Sequence, residues 1–529
     1  MVKNQGFRIG AFPRIALLFV LILTLGGCGS SSARSFDGPG AAADLGVTLD
    51  GFVRDQDGAI NRNALLYIDA PHAGFTYTGA AGIGRVDTSE PMTPEHQFIV
   101  ASVGKATTAV VIHQMAEEGA FGAEGVDARL ADLDVLPPEV IDALHRIDGM
   151  SYGREITLRH LLNHTSGLRD AYFDGVDNRV GLMPGTADGA APDSLVGMAA
   201  FDEQYGLTPL VNCTMKGDPP GCDPDDYLFR HKWAAWDYDA WQADPTDRMA
   251  GLLNFYLAGM NEHALWEPGE GFHYADTNYI LLGIVIESLT GNSLHHELRA
   301  RIFDPLGMDD TYLLGAADPP AENYERNLAE VWAWGEPSIS GGVDFSFDWG
   351  GGGVVSTLAD LNTFMRALVA GDLFEQPGTL DDYLAVPEGV RGLHYASGLI
   401  VFPTAEGPVL YMMGSNGTWV EYYPPEDLVM IGTVDDFSNV PGQVRLHIQL
   451  YGVLAQHGLS TPMATFTSAP MTVFQISVIL LILLSLILLI AALFRRRGGE
   501  PPAASVRWMR RLTAAGLAAV LVLMVMIGL

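Results

Sequence analysis

The chain has 529 residues, 48% hydrophobic and 9% aromatic, enough to bury one large or two ordinary cores; a disordered or low-complexity protein is excluded. Its 63 acidic against 30 basic residues leave a formal charge of −33, which argues against nucleic acid as a partner because an acidic surface repels phosphate. Only four of the basic residues are lysine (Lys3, Lys105, Lys216 and Lys232), so the usual answer to a need for positive charge is a guanidinium. A lysine differs in that its amine can lose a proton when buried.

In chain order, Lys3, Arg8 and Arg14 precede an apolar run from Ile15 to Leu25, followed by Gly26-Gly27-Cys28-Gly29. A basic start, a short apolar run and small residues predict a signal peptide over residues 1–27. Leu25-Gly26-Gly27-Cys28 also resembles the lipobox of bacterial lipoproteins, which implies that Cys28 is acylated. Residues 28–45, rich in Ser and Gly where they begin, read as a flexible linker. Ala64–Ile68 and Phe75–Tyr77, separated by Pro71-His72-Ala73-Gly74, predict a strand, a turn and a strand.

Phe98-Ile99-Val100 then leads into Ser102-Val103-Gly104-Lys105, and a helical pattern continues through Val110, Val111 and Met115 to Gly119. Residues at i and i+3 share a helical face, so the spacing sets an amine beside an alcohol. Backbone N–H groups at such a helix start favour a developing oxyanion. For Lys105 to deprotonate Ser102 its amine must be neutral, and lysine at about 10.4 needs burial or a second cation to become so.

Ile156–Leu168 forms an amphipathic turn or two, with His160 and His164 expected as packed or loop histidines. Residues of about 169–250 are rich in Asp, Gly, Pro and Trp and read as an insertion, in which Cys213 and Cys222 can close a small disulfide loop in an exported protein. Asp218, Asp223, Asp225 and Asp226 lack EF-hand spacing, so no metal is expected. Trp236, Tyr238 and Trp241 read as packing residues of a helical layer.

Further on, Ile280–Leu289 with Gly291 behind it is an apolar helix, and Leu358–Ala370 is another. Gly350 to Gly353 is not a phosphate loop, because no Gly-Lys-Ser/Thr follows. Gly398–Phe402, Val409–Met413, Thr418–Tyr423 and Leu428–Val434 predict four successive strands, and Gln443–Leu454 a closing helix. Helices at both ends of the domain packed on one antiparallel sheet make an α+β fold. Finally, residues 472–494 and 512–529 are long and apolar enough to cross a bilayer, and the arginines of 495–511 would hold that loop in the cytoplasm and the rest of the domain outside.

Ala101-Ser102-Val103-Gly104-Lys105, Ile156–Leu168 and Tyr274-Ala275-Asp276-Thr277-Asn278-Tyr279, in this order, resemble the class C β-lactamase-related serine hydrolases, a group that includes D-alanyl-D-alanine carboxypeptidases, D-aminopeptidases and esterases. The likeness runs from about Ala64 to Gly458. It implies a β-lactamase and penicillin-binding-protein-like fold over residues 46–460, with a mostly helical second region. It also implies acyl-serine chemistry with no metal or organic cofactor. Ser102 is then the nucleophile, Lys105 its base and Tyr274 a proton shuttle, with an oxyanion hole from the backbone N–H groups of Ser102 and Ser415.

Two positions depart from the family pattern. Asp276 stands where an asparagine is expected, and in Met412-Met413-Gly414-Ser415 either Met412 or, in an alternative register, Ser415 stands where a lysine or histidine is expected, so the cation is missing either way. With Asp276, Met412 and Gly414 lining the pocket, a substrate carboxylate would meet repulsion and no cation. The expected partner is therefore a small-molecule ester, amide or peptide, neutral or cationic near the scissile bond, met by a membrane-held enzyme of a bacterial cell envelope. The rival expectations are a catalytically impaired envelope binding protein, and a D-aminopeptidase or D-Ala carboxypeptidase acting on cell-wall peptides, with Asp276 meeting the amine in the aminopeptidase case.

Overall fold

A computed structural model of the chain describes residues 36–54, 63–172, 174, 234–247, 250–315, 327–333, 336–340, 343, 345–388, 394–404, 408–437 and 439–462. Cys28, the Cys213–Cys222 loop and the segments 472–494 and 512–529 lie outside these residues. Among the described residues no helix is long and apolar enough to cross a membrane. Ser35–Leu459 belongs to one compact unit, and the fold below is that unit's.

Its centre is a seven-stranded antiparallel sheet. In chain order the strands are β1 (Asn63–Ala70), β2 (Phe75–Arg85), β3 (Glu90–Pro91), β4 (Ile400–Phe402), β5 (Val409–Met413), β6 (Trp419–Tyr423) and β7 (Leu428–Thr433). Across the sheet they run β4-β5-β6-β7-β1-β2-β3, so the last strand pairs with the first, Leu65 opposite Thr433 and Asp69 opposite Val429. This closure brings the two ends of the domain together. Every residue of β7 is buried, which requires cover on both faces of the sheet.

The cover comes from helices at the ends and in the middle of the chain. Helix α1 (Gly38–Arg54) packs on β1 and β2, and α6 (Val440–Gln456) packs on α1. Ala41, Leu45, Leu49 and Phe52 recur every three or four residues and form the buried stripe of α1. The expected linker 28–45 is thus corrected from Gly38 onward: small residues open the helix, and its apolar spacing, not its composition, decides its state. Helix α5 (Leu358–Ala370) packs on β1 and β7, where Arg366 reaches Asp69 at 2.7 Å and also pairs with Asp427. Thr357 caps α5 and Gly371 ends it at φ +80°, a left-handed turn that suits glycine.

Three more helices complete the site's frame: α2 (Lys105–Glu117), α3 (Leu158–Leu162) and α4 (Asp276–Thr290). All but three residues of α2 are buried, so it is a core helix and not an amphipathic surface one. A small sheet of Phe98–Ile99, Val354–Ser356 and Tyr312–Leu313 runs straight into the start of α2. Ile99 and Val355 there pack with Tyr312, Leu328, Val331 and Phe345. The four strands expected near the C-terminus are present to within two residues at each end. β2, expected to stop at Tyr77, continues to Arg85 through glycines whose sequence carries no strand signal.

Candidate active site

Ser102 sits in a 3-10 turn, Ala101–Gly104, that passes directly into α2 at Lys105. The turn is held from behind, where Val100 donates to the Val354 carbonyl at 2.9 Å. Asn416 and Thr418 donate to the Ile99 carbonyl at 2.7 and 3.2 Å. Ala101 is forced to φ +47°, a left-handed conformation that costs a residue with a Cβ roughly 1 kcal/mol. The strain falls on the residue before the alcohol, and the surrounding contacts hold it there. Ser102 does not cap the helix. Its hydroxyl lies 3.2 Å from Lys105 Nζ and remains half-buried, within reach of a ligand.

Lys105 is fully buried. Its Nζ donates to Ser102 Oγ, to Asp276 and, at 2.5 Å, to the Gly351 carbonyl. These three contacts fix Nζ in place beside the alcohol. The aromatic rings of Tyr274 and Tyr279 enclose it, with centroids 5.0 and 5.5 Å from Nζ. Tyr274 stands just before α4. Burial pushes its phenol well above the ordinary value and Asp276 adds to the rise, opposed by a hydrogen bond from the Ser102 side chain. Ser102, Lys105 and Tyr274 therefore meet at one place.

Asp276 opens α4 at 2% exposure, paired with Lys105 beneath the nucleophile. This corrects its expected place in the substrate pocket. Met412 is also buried, with its thioether 3.8 Å from the Tyr395 hydroxyl, so that position presents no polar group to a ligand. Gly414 is buried as well: a methyl there would lie 2.8 Å from the Val100 carbonyl and 2.9 Å from Ala101 Cβ. The end of β5 consequently abuts the nucleophile turn, and Ser415 follows it, half-buried, along the same edge.

The two histidines are placed as packing groups. His160 completes a capping box with Thr157 at the start of α3. His164 is fully buried, held at φ +59°, with its ring 4.3 Å from that of Tyr274. Its Nδ1 lies 3.2 Å from the Ala275 N–H and 2.9 Å from the Asn278 amide. Burial, and then Lys105, holds it well below the ordinary value, so it is neutral and orients the Tyr274 segment. Ser166 donates to Asn278 at 2.6 Å and Thr277 to the Arg169 carbonyl at 2.7 Å, which pins residues 164–172 to the first turn of α4.

Three neighbours are absent from the sequence reading. Asp348 and Asp170 lie among the charges that act on Asp276 and Tyr274, and Tyr395 packs its ring 5.9 Å from Tyr274 and 4.6 Å from His164. Only Asp348 carries a signal along the chain, standing just before the glycine run. Among the described residues no cluster suits a metal ion. Trp236, Tyr238 and Trp241 are half-buried and packed on one another, with ring centroids 5.6 and 6.1 Å apart.

The Beta-lactamase family matches residues 49–192 and 228–450. The chain is similar to penicillin-binding protein 4* of Bacillus subtilis, 23% identical over 44% of this chain and 34% of that one. It is likewise similar to lovastatin esterase of Penicillium rubens, 31% identical over 22% of this chain and 31% of that one. It spans less than half the length of the curated relatives it matches. Among solved structures, the fold resembles a D-amino acid amidase from Ochrobactrum anthropi at a TM-score of 0.54, with 18% identity over 80% of this chain and 98% of that one.

Proposed function

Because the chain belongs to the β-lactamase family, we propose that it is a serine hydrolase that cleaves an ester or amide bond through an acyl-serine intermediate, exported and held at the membrane of a bacterial envelope. The observation that carries the reaction is the meeting of Ser102 Oγ with Lys105 Nζ at 3.2 Å, under the Tyr274 phenol and beside the end of β5. Ser102 Oγ attacks the carbonyl carbon and its proton passes to the Lys105 site. The oxyanion forms at the start of the 3-10 turn, where the Ser102 N–H and that of Ser415 serve as donors. Tyr274, whose phenol is held in its protonated form, delivers a proton to the leaving group. Water then repeats the sequence on the acyl-serine.

The substrate follows from what the site does not offer. With Met412 apolar and buried at the position where the family carries a cation, nothing there anchors a carboxylate. A substrate neutral or cationic near its scissile ester or amide bond is the reading this position supports. Export rests on residues 1–27 and Cys28, and membrane attachment on Cys28 with 472–494 and 512–529. The test is a fluorophosphonate probe on the purified full-length chain, with Ser102→Ala as control, followed by rates on a short aryl ester, a cephalosporin and D-alanine anilide. Ser102-dependent labelling with the ester fastest supports the proposal. Folded protein that takes no label supports a binding protein, and a faster cephalosporin would overturn the substrate assignment.

A further inference from the structure

We propose that Asp435 is a positioning residue for the proposed oxyanion hole: through Asn416 and Thr418 it locks the Ser102 turn and the Gly414–Ser415 bend to each other, so that the N–H groups of Ser102 and Ser415 address one point. The proposal rests on the acyl-serine reading above and gives the hole a support that neither half has alone.

The two halves come from distant parts of the chain and are joined at one atom, the carbonyl oxygen of Ile99. Asn416 Nδ2 donates to it at 2.7 Å, and Thr418 Oγ1 lies 3.2 Å from it. Both side chains belong to the bend between β5 and β6 that carries Ser415, while Ile99 leads into the turn that carries Ser102. The bend has little slack of its own. The Gly414 N–H donates to the Thr418 carbonyl at 2.7 Å and the Gly417 N–H to the Gly414 carbonyl at 3.0 Å, with Gly417 at φ +83°. Asn416 is thus turned onto the nucleophile segment directly beside the proposed Ser415 donor.

Behind these two side chains stands Asp435. Its Oδ1 lies 3.4 Å from the same Asn416 Nδ2 and accepts from Thr433 Oγ1 at 2.8 Å, and Thr433 Oγ1 lies 2.9 Å from Thr418 Oγ1. One carboxyl oxygen therefore backs both routes to the Ile99 carbonyl. Asn416, Thr418, Thr433 and Asp435 are all fully buried, which strengthens each of these contacts.

Asp435 is itself held fast. Thr433 ends β7 opposite Leu65 of β1, the Trp332 N–H donates to the Asp435 carbonyl at 2.7 Å, and the Asp436 N–H donates to the Asn416 carbonyl at 2.7 Å. Asp435 also takes φ +42°, a left-handed conformation that glycine adopts more easily. A side chain kept in that conformation has to return a gain that glycine lacks, and the contacts of Oδ1 supply it.

The test compares Asp435→Gly and Asp435→Asn with wild type in the full-length chain, by fluorophosphonate labelling rate and by kcat and KM on a short aryl ester. Glycine accepts the left-handed backbone and removes the anchor, whereas asparagine tolerates the same φ and keeps the acceptor oxygen. Burial pushes the Asp435 carboxyl up to about 8, against the Thr433 hydrogen bond and with Glu330 and Asp436 adding to the rise, so a neutral amide alters little charge near neutral pH. Asp435→Gly should lower kcat and labelling about tenfold with KM within about twofold, and Asp435→Asn should recover most of that loss. If Asp435→Gly does not fold, Thr418→Val takes its place and Thr418→Ser is the restoring variant, with the same split expected. Wild-type kcat in the variant without the anchor, a loss confined to KM, or a loss that the restoring variant does not recover overturns this proposal and leaves the acyl-serine reading standing. Folded wild type that takes no label overturns the acyl-serine reading and this one with it.

Discussion

At Lys105 a single side chain meets requirements that conflict. In the proposed reaction it has to hold a position beside Ser102 Oγ, which three hydrogen bonds and two aromatic rings secure, and to exchange a proton, which an amine can do and a guanidinium cannot. An arginine would keep the charge and fail at the exchange. Lys105→Arg is therefore expected to lower Ser102 labelling roughly a thousandfold with the chain still folded, as far-ultraviolet circular dichroism and a labelling time course would show. Tyr274→Phe removes the proposed proton donor to the leaving group and leaves the nucleophile intact. It should cut ester turnover about a hundredfold and slow the labelling reaction far less, because fluoride departs without a proton. Equal losses in both assays would place Tyr274 in the attack step instead.

Elements matter here through where they end. The strand Val354–Ser356 and the end of β5 both abut the Ala101–Gly104 turn, which holds Ala101 at its strained φ, while the first turn of α4 reaches Lys105 just behind it. Gly352, just before that strand, leaves no room: a Cβ there would lie 2.4 Å from the Ala101 carbonyl. Gly352→Ala should lower stability by about 1–3 kcal/mol, as overpacking against backbone does. It should also reduce labelling more than the melting shift accounts for, because the added methyl pushes on the Ala101 carbonyl. A variant with wild-type labelling and melting would show that the turn is not so confined. The same element ends were partly legible beforehand. Ser102 and Lys105 could be placed on one face from spacing alone, whereas Gly351 and Asp348, some 240 positions away, carry no periodic mark of belonging to that face.

For the whole molecule, burial of neutral imidazoles sets the acid limit. His113 on α2 lies 2.9 Å from Ser397 Oγ, and burial holds it down to about 4 against an ordinary 6.5. The unfolded chain thus binds a proton below about pH 6.5 that the folded chain refuses until about pH 4, so stability falls as pH drops through that window. His113→Gln should flatten this loss by on the order of 2 kcal/mol, read from urea midpoints at several pH values. An unchanged slope would move the acid sensitivity elsewhere. The proposed anchoring is a property of the same scale. Full-length chain should sediment with membranes, and a chain stopped after residue 471 with Cys28→Ala should not; retention of that double variant would mean that another surface binds the bilayer.

The division between what could be read along the chain and what required the fold follows from the range of the forces involved. Strand alternation, helix stops and the Ser102–Lys105 spacing are local, since each is set by backbone geometry within a few residues, and the late strands and α2 were legible for that reason. Helix α1 was hidden because its opening residues are small, and its stripe gains meaning only against β2 and α6. The burial of Asp276 against Lys105, the turning inward of Met412 toward Tyr395 and the approach of Asp348 are long-range. Charge and polarity at these positions were visible in the residue names. Their partners were not, because a buried charge takes its chemistry from whatever the folded chain brings within a few ångströms of it.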